Sequence, residues 1–311
     1  MKKNKLIFSL ILCLVASSWT AIAQNIALSR EEMIALTSGW EGERYPDGRP
    51  KVPDDILERV KNISIEEAWG VMRGKGYHNQ FDGGWMMIHE DQPIVGRALT
   101  AQYMPLRPDL DEKVKAKGKE DGRIGSPNSW PIDELQKGDV YIADGFGKVV
   151  DGTLIGDNLG NSIYAKSGNG VIFDGSLRDL EGLEEIEGFN AFVRGWDPSF
   201  IKDMMLTSLN QPIRIGRATV LPGDVVLAKR EGVIFIPAHM VQEVVTNAEF
   251  ITLRDKFGIQ MLKEGKYTPG QIDTRWTEEI KDDFMVWLDN NPDMLPMSRA
   301  ELDEFLKNRT W

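Results

Sequence analysis

Asp157, Arg178 and Asp179 are the residues from which a reaction could be built. All three fall in the stretch 156–179, which reads GDNLGNSIYAKSGNGVIFDGSLRD. A carboxylate at a strand end suits a hard divalent ion such as Mg²⁺ or Mn²⁺. Such an ion takes oxygen ligands, keeps several waters and lets substrate oxygens complete its shell. A neighbouring guanidinium stabilises negative charge as it forms on a carbonyl oxygen. Each residue also has a plainer use. Asp157 reads as the N-cap of a helix, and Asp179 can cap a helix starting at Leu180-Glu181-Gly182-Leu183. Arg178 can form a surface ion pair with Glu181 or Glu184.

The elements that must position them can be read in the same stretch. About ten residues of helical pattern follow Asp157, with Leu159, Ile163 and Ala165 as expected buried positions. Ser167-Gly168-Asn169-Gly170 breaks that helix. Val171-Ile172-Phe173 is an apolar run of buried-strand type that leads into Asp174-Gly175. A helix start and a strand end are where α/β folds collect ligands, and here they lie a short distance apart in sequence.

The spacing of Asp157, twenty residues, then Arg178-Asp179 resembles the Asp-x20-Arg-Asp signature of the RraA-like family, which includes class II 4-hydroxy-4-methyl-2-oxoglutarate/4-carboxy-4-hydroxy-2-oxoadipate pyruvate aldolases. Four further pieces resemble that family in the same order. They are Val95 to Thr100, Lys137-Gly138-Asp139-Val140 with Ala143-Asp144-Gly145, Gly170 to Gly175, and Pro222-Gly223-Asp224 followed by Gly232 to Pro237. The resemblance covers roughly residues 52–245. It implies a compact α/β domain of the swivelling β/β/α type, usually assembled as trimers or trimer pairs with sites at subunit interfaces.

The resemblance also implies roles. Asp179 would ligate Mg²⁺ or Mn²⁺, and a 2-oxo acid would chelate the ion through its carboxylate and keto oxygens. Arg178 would pair with the keto or enolate oxygen. Asp157 would order a water that carries a proton to and from the enolate carbon. The backbone N–H groups of Asn158 and Leu159 would hold the substrate carboxylate. The expected reaction is cleavage of a 4-hydroxy-2-oxo acid to pyruvate and a second carbonyl compound, with oxaloacetate decarboxylation open to the same enolate chemistry. The family usually carries an acid where Lys229 stands, which puts that acid's role in doubt here.

Residues 1–23 read as an export signal. Lys2, Lys3 and Lys5 form a basic start, Leu6 to Val15 an apolar stretch too short to span a bilayer, and Ala21-Ile22-Ala23 a small-residue cleavage site. Cleavage after Ala23 would give a periplasmic or secreted protein. Removing this segment takes away three lysines and no acid, so the net charge moves from −11 to −14. It also removes Cys13, the one cysteine, and with it any disulfide or thiolate metal site. The acidic balance argues against nucleic-acid binding, which needs basic surface. No second apolar run is long enough to cross a membrane.

The remaining chain divides into an arm at 24–51, the α/β core at 52–245 and a helical C-terminal extension at 246–311. Ser29 to Glu32, Ser64 to Glu67 and Ser298 to Glu301 each fit a capping box. Residues 107–137 are polar and charged and read as a surface insertion. Val225 to Leu227 and Val233 to Ile236 form an expected hairpin. In the extension, Trp276, Trp287 and Trp311 carry large apolar area to bury, for packing or for a lid. His78, His89 and His239 show no metal-ligand spacing.

Three other functions belong to different classes. An exported binding protein on the same fold would keep the residues without turnover. The family also contains inhibitors of a cytoplasmic ribonuclease, from which an export signal would separate this chain. Some members carry a methyltransferase label, but Gly145-Phe146-Gly147 lacks the third glycine of a dinucleotide loop, Val150 standing there.

Overall fold

The computed structural model describes residues 26–307, so the cleavage site expected after Ala23 and the indole of Trp311 lie outside the described residues. A nine-stranded mixed sheet forms the centre. Its strands are β1 (Phe81–Asp82), β2 (Met86–Met87), β3 (Ile94–Pro105), β4 (Asp139–Asp144), β5 (Val171–Leu177), β6 (Ala191–Trp196), β7 (Met204–Leu209), β10 (Val225–Lys229) and β11 (Gly232–Ile236). The order is β1-β11-β10-β3-β4-β5-β6-β2, with β7 pairing the far end of β3. The four strands β3 to β6 run parallel and the rest join antiparallel. Strands β8 (Ile213–Ile215) and β9 (Ala218–Val220) form a separate hairpin.

Alternation along the strands sends successive side chains to opposite faces. Leu99, Tyr141, Phe173 and Val193 enter one core, packed with Ile163, Leu183 and Trp130 from the helices. Ala98, Ile142, Ile172 and Phe192 enter another, closed by Ile213, Ile215, Ala218 and Val220 of the β8–β9 hairpin. A third cluster sets Val95, Leu227 and Ile234 against α2 (Asp54–Val60), α3 (Ile65–Gly74) and the long α8 (Val241–Lys263). The layers are therefore hairpin, sheet and helices, the β/β/α order expected, followed by a helical C-terminal region.

Local signals hold where they were strongest. Ser29 caps α1 (Arg30–Leu36) and Ser64 caps α3, each with its glutamate reaching back to the cap N–H. Ser298 and Glu301 exchange the same pair of bonds ahead of α11 (Arg299–Lys307). The β10–β11 hairpin pairs in register from Val225↔Ile236 to Lys229↔Gly232.

Two expectations need correction. Residues 107–137 are not only surface. They form α4 (Pro108–Glu120) and the short α5 (Trp130–Asp133), and Trp130, Ile132 and Leu135 are buried in the main core. Gly118 makes room for that indole, since a Cβ there would stand 2.1 Å from Trp130 Cη2. In the 156–179 stretch, Ile163 is buried as expected, but Leu159 is only half-buried and Ala165 is exposed. Gly160 and Ser167 take the inner face instead, because α7 (Leu180–Glu184) packs so close that a Cβ on Gly160 would meet Leu183 Cδ2 at 2.3 Å.

The extension grows from α8 without a break. Phe250, Phe257, Trp276, Phe284 and Trp287 gather into a fourth buried cluster with Ile280, Leu288 and Leu302. Trp276 and Trp287 are thus packing residues.

Candidate active site

The candidate site depends on a change of partner along β5. Strand β4 pairs with β5 only as far as Asp144↔Asp174. Beyond that point residues 153–155 take β4's place: Thr153 bridges Ser176, Leu154 N–H donates to the Ser176 carbonyl at 3.1 Å, and Arg178 N–H donates to the Ile155 carbonyl at 3.3 Å. This pairing sets the start of α6 (Asp157–Ser167) beside Arg178 and Asp179. The sequence leaves both ends of the stretch free to meet, and these backbone bonds hold them together.

Two glycines permit the close approach. A Cβ on Gly156 would stand 2.1 Å from Asp179 Oδ2 and 3.2 Å from Arg178 Nε. A Cβ on Gly182 would stand 2.8 Å from the Asp157 Cβ. Gly156, with φ −122°, is the N-cap residue. Asp157 is therefore not the N-cap expected from sequence. It is the first helical residue, and its Oδ1 accepts the N–H of Asn158 at 2.7 Å. The extended cap conformation falls on the glycine because that position faces the Asp179 carboxylate.

Asp179 stands in the left-handed region at φ 58° and immediately precedes α7, but its side chain makes no capping hydrogen bond. Its Oδ2 lies 3.5 Å from Arg178 Nε, and both side chains are about two-fifths exposed (42% and 41%). The helix-capping alternative thus has no bond to support it, and Arg178 pairs with Asp179 rather than with Glu181 or Glu184.

Asp157, Asn158, Leu159 and Arg178 line one hollow of about 90 Å³, with residues 153–156, Asn128, Phe200 and Ile201. Asp179 flanks it behind Gly156 and Arg178. The N–H of Leu159, in the first turn of α6, is one of the donors a helix start leaves unpaired; that of Asn158 is shared with Asp157. The hollow collects partial positive charge from the helix start and full charge from Arg178, which suits a small carboxylate.

Other charged side chains of the sheet are already engaged. Arg194 Nε donates to Asp174 Oδ1 at 2.7 Å, its other nitrogen pairs with Asp82, and its guanidinium lies 3.6 Å from the centre of the Trp85 ring. Asp174 is therefore spent on an ion pair that ties β5 to Arg194 of β6. Asp144 accepts from Gln102 at 2.9 Å and from the Phe146 N–H at 2.8 Å, and burial raises its pKa. Lys229 donates to the Ile63 carbonyl at 2.7 Å, tying β10 to the loop before α3. Among the described residues no group of three or more His, Cys, Asp or Glu could hold a metal. One accessible carboxylate free of a capping bond fits a hard ion completed by water and substrate, and does not fit a site built wholly from protein ligands.

No pattern in the sequence marks Asn128, Phe200 and Ile201 as site residues. They reach the hollow by tertiary contact, and the only local signal is the turn chemistry of Ser126-Pro127-Asn128.

The model of the RraA-like family, described as Aldolase/RraA, matches residues 55–235. The chain belongs to the RraA-like family. Protein DlpA of Legionella pneumophila is 27% identical over 206 residues, which are 65% of this chain and 31% of that protein. The 4-hydroxy-4-methyl-2-oxoglutarate aldolase of Thermus thermophilus is 27% identical over 106 residues, 34% of this chain and 63% of that protein. The chain thus spans less than two thirds of either relative. The crystal structure of Streptomyces coelicolor RraAS2, an unusual member of the RNase ES inhibitor RraA protein family, superposes with a TM-score of 0.58 at 23% identity, covering 68% of this chain and 99% of that one. The RraA-like core therefore lies within the sheet and its flanking helices, and α9 (Pro269–Ile272), α10 (Glu278–Asn290) and α11 lie beyond the matched residues.

Proposed function

We propose that this RraA-like protein is a divalent-metal-dependent lyase that cleaves a 4-hydroxy-2-oxo acid to pyruvate and a second carbonyl compound, with oxaloacetate decarboxylation as a side activity. One observation carries the reading: Arg178 and the start of α6 share a single small hollow, with Asp157 at its wall and Asp179 at its flank. Relatives named as aldolases agree with it.

In this reading the N–H groups at the start of α6 bind the substrate carboxylate. Arg178 faces the 2-oxo oxygen and gains strength as that oxygen becomes negative. The C3–C4 bond breaks as the C4 hydroxyl loses its proton. The electron pair stays on C3 as an enolate, and a proton returned to C3 gives the pyruvate methyl group. Asp157 carries that proton through an ordered water. A divalent ion, Mg²⁺ or Mn²⁺, held by Asp179, would supply Lewis-acid polarisation of the 2-oxo group. The family's trimeric or hexameric assembly and an exported location complete the proposal, the latter on the reading of residues 1–23.

The test is solvent exchange of pyruvate methyl protons by NMR, with pyruvate release from a panel of 4-hydroxy-2-oxo acids and oxaloacetate. Exchange and release that both need a divalent ion are expected, and Asp157→Asn should slow both. Pyruvate binding with neither exchange nor turnover would replace this reading with that of a binding protein on the same fold.

A further inference from the structure

We propose that the 108–133 segment builds a second compartment beside the reacting centre, and that it selects an acceptor half that is an extended hydroxylated chain ending in an acid group read by Lys202. The inference rests on the lyase reading for its chemistry but not for its geometry.

A hollow of about 270 Å³ lies between α4 and the start of β7. It shares Asn128 and Ile201 with the hollow of about 90 Å³ that holds Arg178. The smaller space is a third the size of its neighbour and suits only the pyruvate half of a substrate. Asn128 stands at the junction, with its Nδ2 donating to the Leu154 carbonyl at 2.9 Å. Its Oδ1 accepts no hydrogen bond among the described residues, so it is an acceptor for a substrate hydroxyl.

The cations of the larger hollow are not equivalent. Lys115 is held by Asp111, one helical turn away, at 2.6 Å. Lys202 makes no side-chain hydrogen bond or ion pair among the described residues, although its backbone is pinned on both sides. Its N–H donates to the Asp151 carbonyl at 2.9 Å, and its carbonyl accepts from Lys148 Nζ at 3.0 Å. Asp203, beside it in the chain, is in the left-handed region at φ 55°, and its carbonyl takes the Leu106 N–H. Lys202 is exposed on the wall of the hollow beside Asp203, and its ammonium group keeps its donors for an anion at the end of a bound chain. Ser126 also lines the hollow and adds a hydroxyl.

The experiment compares 4,5,6-trihydroxy-2-oxohexanoate, whose tail is neutral, with 4,5-dihydroxy-2-oxohexanedioate, whose tail ends in a carboxylate. The wild type should favour the dicarboxylate in kcat/KM. In Lys202→Gln that preference should fall by about tenfold, carried by KM, the size of effect expected of one charge-assisted hydrogen bond. Lys202→Arg should restore most of it. Titration calorimetry with an uncleavable six-carbon hydroxylated dicarboxylate decides the compartment without turnover, and it should bind the wild type about tenfold more tightly than Lys202→Gln. Equal affinity for the two proteins, or an unchanged substrate preference in Lys202→Gln, overturns the proposal. Calorimetric discrimination without pyruvate proton exchange would instead overturn the lyase reading and keep the compartment.

Discussion

The carboxylate of Asp179 occupies the space that a side chain on Gly156 would need, its Oδ2 lying 2.1 Å from where that Cβ would be. Gly156 has φ −122°, so the glycine is required by contact rather than by backbone conformation. Gly156→Ala should fold, push the Asp179 carboxylate aside and weaken Mn²⁺ binding by about 10–100-fold, the range seen when the support of a metal ligand is disturbed. Paramagnetic relaxation of water protons reads this directly, and unchanged Mn²⁺ affinity would count against Asp179 as a ligand.

Asp179 makes no capping bond. Its removal should therefore cost little stability and much function. Chelator should abolish pyruvate release and Mg²⁺ or Mn²⁺ restore it, while Asp179→Ala should lose rate and metal response together. Full activity in the presence of chelator rules the mechanism out.

Arg178 faces the hollow with its Nε 3.5 Å from Asp179 Oδ2. Arg178→Lys keeps the charge but not the planar fork. If the guanidinium stabilises an oxygen that becomes negative during the reaction, kcat should fall by about 10²–10³ with a much smaller change in KM. A loss confined to KM would make Arg178 a binding residue only.

Much of this arrangement was legible because its causes are local. Capping boxes at Ser29 and Ser64, the β10–β11 hairpin and the Val171–Phe173 strand each follow from residues within a few positions of one another. The helix start at Gly156 rather than Asp157 was not legible, because the choice depends on Asp179 more than twenty residues later. Residues 108–133 misled for a similar reason. In α4 only Val114 and Gly118 are buried among many charges, and the anchor, Trp130, is buried between Gly118 and a core built from distant strands. The site's outer wall at Asn128 and Ile201 comes from segments whose meeting no periodicity records.

The C-terminal extension should behave as a packed part of the domain. Phe284 is fully buried, with ring centres at 5.3 Å to Phe257 and 5.4 Å to Trp276. Phe284→Ala should destabilise the protein by about 3–5 kcal/mol in urea titration. A lid would give a different result, with lost turnover at unchanged stability.

Asp224 provides the last test, and its sign is opposite to that of most surface carboxylates. It is 4% exposed, and its Oδ2 accepts the Leu221 N–H at 2.8 Å. Burial pushes its pKa up to about 7, against the smaller opposing effect of the Leu221 and Ala238 N–H bonds. The folded state therefore holds this proton through a pH range in which the unfolded chain has released it. Below the unfolded value both states are protonated and Asp224 carries no penalty. Stability should fall as pH rises from about 4 to about 7 and then level off, by about 2 kcal/mol between pH 5.5 and pH 8 from this one group. Asp224→Asn keeps an oxygen for the Leu221 N–H and removes the titration. Urea titrations of both proteins across that range isolate the effect, since every other carboxylate is common to the pair. The wild type should lose stability relative to Asp224→Asn as pH rises. Parallel pH profiles would mean that the charge on Asp224 is already matched in the fold.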